Sequence, residues 1–205
     1  HNRKCTKYLP NIFSKVDFSA NLQISHVYQE PEFAYRKLPY IKNLCLMGYF
    51  QSEKYFAHID DEIRDLFEPT EEIEHYIKNK YSSFLSEETI GIHVRRGDYL
   101  KHSNIHPVCT LDYYKEALLL FKNKEQYDIM IFSDDPEWCK KEFGSSVHMI
   151  EKESDYVDLY LMSKCTHNII ANSSFSWWAA WLNRNEEKVV IAPKKWFGSG
   201  APYDN

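Results

Sequence analysis

Residues 89–99 read Thr-Ile-Gly-Ile-His-Val-Arg-Arg-Gly-Asp-Tyr. The stretch Thr89 to Val94 is dominated by β-branched and apolar side chains and then gives way abruptly to two arginines and a glycine. That pattern predicts a short buried strand ending in a charged turn. What lies downstream decides the fold, because the same unit recurs. Leu111 to Phe121 has helical periodicity behind a capping Thr110, and Tyr127 to Phe132 is β-rich. Pro136 opens the next helix in its first turn, and Val147 to Ile150 follows as a strand. Tyr156 to Ser163 is helical, His167 to Ala171 is strand-like, Ser176 to Asn183 is a Trp-rich helix, and Lys188 to Ala192 closes as a strand. Short strands alternating with longer helices imply βαβ crossovers and a parallel sheet. The fold class is α/β, and residues 88–205 are expected to form a Rossmann-like domain.

Upstream the signal is weaker. Leu44 to Phe50 is a short apolar run, a helix is expected through Ile63 and Phe67, and Pro69 and Thr70 open another. Glu71 and Glu72 stand in its first turn, where the helix dipole favours acids, and Ile73, Tyr76, Ile77 and Tyr81 form its apolar stripe. The first forty residues are polar and weakly periodic. The expected division is therefore an incomplete N-terminal part, 1–87, and the Rossmann-like domain, 88–205.

The 205 residues are 43% hydrophobic and 27% charged, a globular composition, with fifteen Tyr, twelve Phe and five Trp. Trp177, Trp178 and Trp181 are expected to anchor the core. A net charge of -5 argues against a nucleic-acid partner. The five cysteines are scattered without zinc-site spacing, which predicts free thiols in a reducing compartment. No apolar run reaches the ~20 residues that cross a bilayer. The chain opens at His1 rather than Met, which leaves room for a preceding segment. His58, His75, His102 and His106 read as surface or packing residues.

Parallel sheets bind ligands beyond the carboxyl ends of their strands, and three loops there are chemically informative. Arg95 and Arg96 leave the first strand together. Two guanidiniums are costly to bury without an anion, and their forks match paired phosphate oxygens, so both are expected to converge on one diphosphate. Gly97 permits the turn, and Asp98 orients an arginine or serves as a base. The same residues also read as exposed arginines ion-paired with Asp98. Ser133-Asp134-Asp135-Pro136 ends the second strand. A carboxylate there suits the paired N–H groups of guanine, and it equally suits a helix N-cap. Asn172-Ser173-Ser174-Phe175-Ser176 joins a strand to the Trp-rich helix, placing hydroxyl and N–H groups at a helix N-terminus, an anion site by dipole or again a cap. It has no Walker lysine. Asn172-Ser173-Ser174 is also a glycosylation sequon, at odds with phosphate binding. No Asp-x-Asp triplet occurs, so the arginines are expected to neutralise a leaving diphosphate in place of a metal.

His93-Val-Arg-Arg-Gly-Asp-Tyr99 resembles the HxRRGDY signature of the α-1,2-fucosyltransferases. Ser133 to Pro136 resembles that family's second motif, and Asn172 to Trp178, continuing to Trp181, is similar to its third. Gly48 to Phe56 is typical of its bacterial members, so the resemblance covers about residues 40–197. It implies a GT-B-like fold, GDP-fucose as donor, transfer with inversion to O2 of a terminal galactose, and no required metal or other cofactor. It further implies that Arg95 and Arg96 contact the diphosphate, with Asp98 beside them as candidate base. His93 and Asp134 or Asp135 would lie near the guanine, Ser173 and Ser174 near the β-phosphate, and Gly97, Tyr99, Asn172, Phe175 and Ser176 would line the site. The acceptor would be a galactose-terminated oligosaccharide or lipid-linked glycan, met in the cytoplasm or at the periphery of the inner membrane. The family's Gly-rich opening, close to GGLGNQLFQ, does not occur here. Two further readings accompany this one: a GDP-fucose transferase of another linkage such as α-1,6, and a nucleotide-sugar-binding module without transfer.

Overall fold

The computed structural model describes residues 5–18, 23–85, 88–122 and 124–201. Two compact units divide the chain, His1–Glu68 with Ala201–Asn205, and Pro69–Gly200.

In the first unit, strands β1 (His26–Gln29) and β2 (Leu44–Met47) pair in parallel with His26 opposite Leu44, and helix α1 (Asp60–Leu66) follows. The Glu30 carboxylate accepts the Tyr49 and Phe50 N–H groups at 2.6 and 3.0 Å, satisfying backbone donors just past β2. Strand β1 lies within the polar opening of the chain, where periodicity gave no signal.

The second unit is a five-stranded parallel sheet between helices. Helix α2 (Glu71–Leu85) precedes β3 (Thr89–Val94), followed by α3 (Leu111–Leu119), β4 (Asp128–Ser133), α4 (Pro136–Phe143), β5 (His148–Ile150), α5 (Asp155–Ser163), β6 (His167–Ile169), α6 (Ser174–Leu182) and β7 (Val190–Ile191). The compact unit begins at Pro69, whereas the sequence places its start at 88. The reason is α2, which buries Ile73, Ile77 and Tyr81 and is tied to α5 and the loop before it. Glu153 accepts from Tyr81 Oη at 2.7 Å and from Lys80, and Lys164 pairs with Glu74 at 2.8 Å.

Strand order is β5-β4-β3-β6-β7. The chain winds outward from β3 through β4 to β5, then returns to β6 beside β3 and continues outward to β7. The reversal between β3 and β6 is where such sheets open a crevice at their carboxyl ends. Side chains alternate along each strand, so the two faces differ. Ile90, Ile92 and Val94 join Ile131, Ile169, Tyr114, Ala117, Phe121 and Cys139 in the core beneath α3 and α4. Gly91 lies on the opposite face, where an added Cβ would stand 2.9 Å from Cys165 Sγ, so the glycine lets the turn between α5 and β6 come close. A buried amide network closes that side: Asn183 Nδ2 donates to Cys165 O at 2.7 Å and to Asn168 Oδ1 at 2.9 Å, and Asn168 Nδ2 donates to Met162 O.

Helix α6 departs from expectation in two ways. It begins at Ser174, two residues earlier than its periodicity indicates. It also seats its small residues Ser176, Ala179 and Ala180 inward, while Trp177, Trp178 and Trp181 stay half-buried and pack on one another, with centroids 5.2 to 6.4 Å apart. Small side chains allow the helix its close seat, so the tryptophans flank the core instead of anchoring it. Cys45, Cys109, Cys139 and Cys165 are free thiols. Among the described residues, no helix is long and apolar enough to cross a membrane.

Candidate functional site

Strands β3 and β4 run in register, with His93 beside Phe132 and Val94 beside Ser133. Continuing that alternation by one residue pair sets the geometry beyond the strand ends. Arg95 follows His93 on the α5–α6 face and meets Asp134, which follows Phe132, at 2.8 Å. Arg96 follows Val94 on the α3–α4 face and meets Asp135, which follows Ser133, at 2.9 Å. The two arginines therefore do not converge. Neighbours leaving a strand inherit opposite sides of the sheet, and each guanidinium finds its own carboxylate there.

Arg96 is held firmly. Its guanidinium lies 4.0 Å from the centre of the Trp138 ring, and its backbone N–H donates to Asp134 Oδ1 at 2.8 Å. Asp135 also caps α4, accepting from Trp138 N at 3.2 Å. Between the arginines and Asp134 there is no space for a side chain on Gly97: an added Cβ would lie 2.4 Å from Asp134 Oδ2.

Arg95 turns the other way, pairing with Asp98 at 2.5 Å and resting 5.3 Å from the Tyr99 ring centre. Tyr99 spans the β3–β6 crevice and donates its hydroxyl to Asn172 O at 3.1 Å. Asn172 is buried, its side chain donating to Trp196 O at 2.9 Å. Ser173 is the N-cap of α6 but places no side-chain bond on the helix N–H groups, and Ser174 is exposed at the helix start. Phe175 packs against His93 at 4.9 Å between ring centres. Ser176 belongs to the core instead, its buried hydroxyl lying 3.3 Å from both Ala171 O and Ser173 O.

Among the described residues, four buried side-chain atoms lack a hydrogen-bond partner, on His93, His106, Asp158 and Tyr160, and of these His93 and Asp158 are titratable residues with strongly shifted protonation. His93 Nδ1 is buried without a hydrogen bond, and burial, reinforced by the Arg95 charge, pushes the imidazole down to about 3. It is neutral at all ordinary pH. Asp158 Oδ1 is buried without a partner on the first turns of α5, and burial, with Glu153 and Asp155 nearby, raises its carboxyl to about 7. A raised carboxyl with an unpartnered oxygen, in a helix that starts beyond a strand's carboxyl end, is a candidate contact for donor hydrogens. Sequence reading missed Asp158, since an acid near a helix start reads as a dipole partner. Its signal was the company it keeps: Tyr156-Val157-Asp158-Leu159-Tyr160-Leu161-Met162 is otherwise apolar.

The structure thus gathers His93, Arg95, Gly97, Asp98, Tyr99, Asn172, Ser173, Ser174 and Phe175 around the β3–β6 crevice. It sends Arg96 and Asp135 to α4 and Ser176 to the core, and it commits Asp134 to Arg95. Among the described residues, no three His, Cys, Asp or Glu side chains are gathered to hold a metal ion. What the crevice offers is one guanidinium, a helix N-terminus that Ser173 leaves without a side-chain cap, and the unpartnered His93 Nδ1. That set suits an anion joined to a group rich in hydrogen-bond donors and acceptors.

A model of glycosyl transferase family 11 matches residues 17–201. The chain is 37% identical to the O-antigen biosynthesis glycosyltransferase WbnK of Escherichia coli, over 78% of this chain and 58% of that one. It is 36% identical to the alpha-1,2-colitosyltransferase of Escherichia coli (74% and 55% covered) and 28% identical to the galactoside alpha-(1,2)-fucosyltransferase 1 of Bos taurus (85% and 53%). The chain spans about half the length of the curated relatives it matches. Its fold is like that of POFUT1, solved in complex with GDP-fucose, with a TM-score of 0.51 at 12% identity, covering 74% of this chain and 54% of that one. The likeness is one of fold: the sheet of Pro69–Gly200 is the Rossmann-like half of a GT-B-like architecture.

Proposed function

The chain belongs to glycosyl transferase family 11, and from that premise we propose that its β3–β6 crevice binds GDP-fucose and that the protein transfers L-fucose to O2 of a terminal galactose. The observation that supports this most is the placement of Arg95 opposite the uncapped start of α6, across the point where strand order reverses. The β-phosphate would lie between the Arg95 guanidinium and the N–H groups and hydroxyls at Ser173 and Ser174. Arg95 must exchange one of its carboxylate partners, Asp98 or Asp134, for the phosphate.

For the base, a carboxylate accepting from guanine N1–H and N2–H is required. Asp135 is held by Arg96 and Asp134 accepts from the Arg96 N–H as well as from Arg95, and we assign this role to Asp158, with neutral His93 and Phe175 beside the nucleoside. Transfer then proceeds by inversion. The acceptor O2 bonds to the anomeric carbon as its bond to the β-phosphate oxygen breaks, and the electron pair leaves with GDP. The hydroxyl proton passes to a base, a role we give to Asp98 as the carboxylate that the phosphate displaces from Arg95. Arg95 and the α6 dipole stabilise the developing charge without a metal. A galactose-terminated oligosaccharide or lipid-linked acceptor, met in the cytoplasm or at the periphery of the inner membrane, belongs to the same proposal.

The relative named alpha-1,2-colitosyltransferase favours one second reading, GDP-colitose as donor, since colitose differs from fucose only in lacking the 3-hydroxyl. The test is incubation with GDP-fucose or GDP-colitose and a galactose-terminated acceptor, followed by linkage analysis. The expected product carries fucose on O2 of galactose. A colitosyl product moves the assignment to the second donor, a 1,6 linkage overturns the regiochemistry, and GDP binding without product reduces the chain to a donor-binding module.

A further inference from the structure

Around Tyr99 the side chains form a column. The Arg95 guanidinium rests over the Tyr99 ring, and that ring lies nearly parallel to the His106 imidazole, with centroids 4.7 Å apart and planes at 17°. Phe197 packs on His106 in turn, 6.0 Å between centres. Backbone bonds fix the base of the column. His106 N donates to His102 O at 2.9 Å, while Gly198 N donates to Ile105 O and Gly200 N to Asn104 O, each at 2.9 Å. His106 Nδ1 is buried without a hydrogen bond, so the ring contributes through its face at that end. A guanidinium on a long side chain loses much rotamer freedom when it is held in one place. A fixed aromatic plate lowers that loss at the moment of binding.

We propose that His106 is a positioning residue for Arg95: by stacking against Tyr99 it steadies the plate over which the guanidinium is held at the β3–β6 crevice. It acts through two intervening side chains and touches no ligand. The inference rests on the reading that this crevice takes the diphosphate of the donor.

The experiment is calorimetric titration with GDP of the wild-type chain, His106→Leu, His106→Phe, Arg95→Ala and the double variant Arg95→Ala/His106→Leu, each checked for a cooperative thermal transition. His106→Leu, which fills the space but removes the ring, should weaken GDP binding about 5- to 10-fold. His106→Phe, which restores a stacking ring, should return most of the affinity. In the Arg95→Ala background, His106→Leu should add less than about twofold, because its effect passes through the arginine. A His106→Leu chain binding GDP like wild type overturns the proposal, as does a double variant whose loss is the product of the two single losses. Should His106→Leu fail to fold, the His106→Phe pair with and without Arg95 decides: loss of affinity despite the restored ring also overturns it. Failure of the wild type itself to bind GDP removes the donor-site reading, and this proposal with it.

Discussion

The carboxyl end of the sheet is finished differently on its two faces. On the α3–α4 face, Arg96 is committed to Asp135 and Trp138, and Asp135 to the cap of α4. Donors and acceptors there find each other. On the α5–α6 face, His93 and Asp158 keep buried atoms without partners, and α6 opens without a side-chain cap. Unsatisfied buried polar groups are costly, which makes this face the candidate for binding. Arg95 and Arg96, adjacent in sequence, are thus divided between structure and binding by the period of a β-strand.

The largest expected effect separates them directly. Arg95→Ala should weaken GDP binding on the order of 100-fold, the scale set by removing a charge-assisted hydrogen bond from a phosphate. Arg96→Ala should cost about 1–2 kcal/mol of stability through Trp138 and Asp135, and weaken GDP binding less than about fivefold. Isothermal titration and thermal melts read both, and equal losses of affinity would break the comparison.

Asp158→Asn sharpens it by moving two quantities in opposite directions. The raised carboxyl means the folded chain holds this proton more tightly than the unfolded chain does. Its contribution to stability is therefore present at low pH and lost as pH rises through about 7. Removing the charge should stabilise the protein by about 1–3 kcal/mol at pH 8. Binding of guanine needs the ionised form, so wild-type GDP affinity should rise as pH passes upward through about 7. In Asp158→Asn the affinity at pH 8 should be about tenfold lower and the step near pH 7 should vanish. Parallel melts and titrations from pH 5.5 to pH 8.5 check both signs.

Gly97→Ala joins the faces, since the added Cβ strikes the carboxylate that holds Arg95 and accepts from the Arg96 N–H. A loss of about 1–3 kcal/mol in stability with a several-fold loss of GDP affinity is expected. The smallest effect is at Ser176, whose hydroxyl serves the backbone: Ser176→Ala should cost about 0.5–1.5 kcal/mol and leave GDP affinity within about twofold.

These outcomes bear on what a sequence makes legible. The alternation from Thr89 to Ile191 was plain because β-rich runs and capped helices are local, and Thr110 and Asp135 cap as their spacing indicates. β1 was hidden because its residues, His26 to Gln29, are mixed and mostly exposed. That α2 belongs with the sheet was not legible, because the bonds that tie Glu153 to Tyr81 and Lys80 join residues more than seventy positions apart. At the site, Arg95 and the serine loop were visible as motifs. Divergence of the arginines followed from strand periodicity, which the sequence does contain, once Val94 and His93 are assigned to opposite faces. Asp158 was obscured for another reason: its isolation from partners depends on how α5 is buried, and no local pattern records that.

Hydrogen–deuterium exchange of the wild-type chain with and without GDP tests the central claim most directly. The account predicts slowed exchange in residues 93–99, 155–160 and 172–176, with helix α4 at 136–143 unchanged. Protection centred on α4, or spread equally over both faces of the sheet, would contradict it.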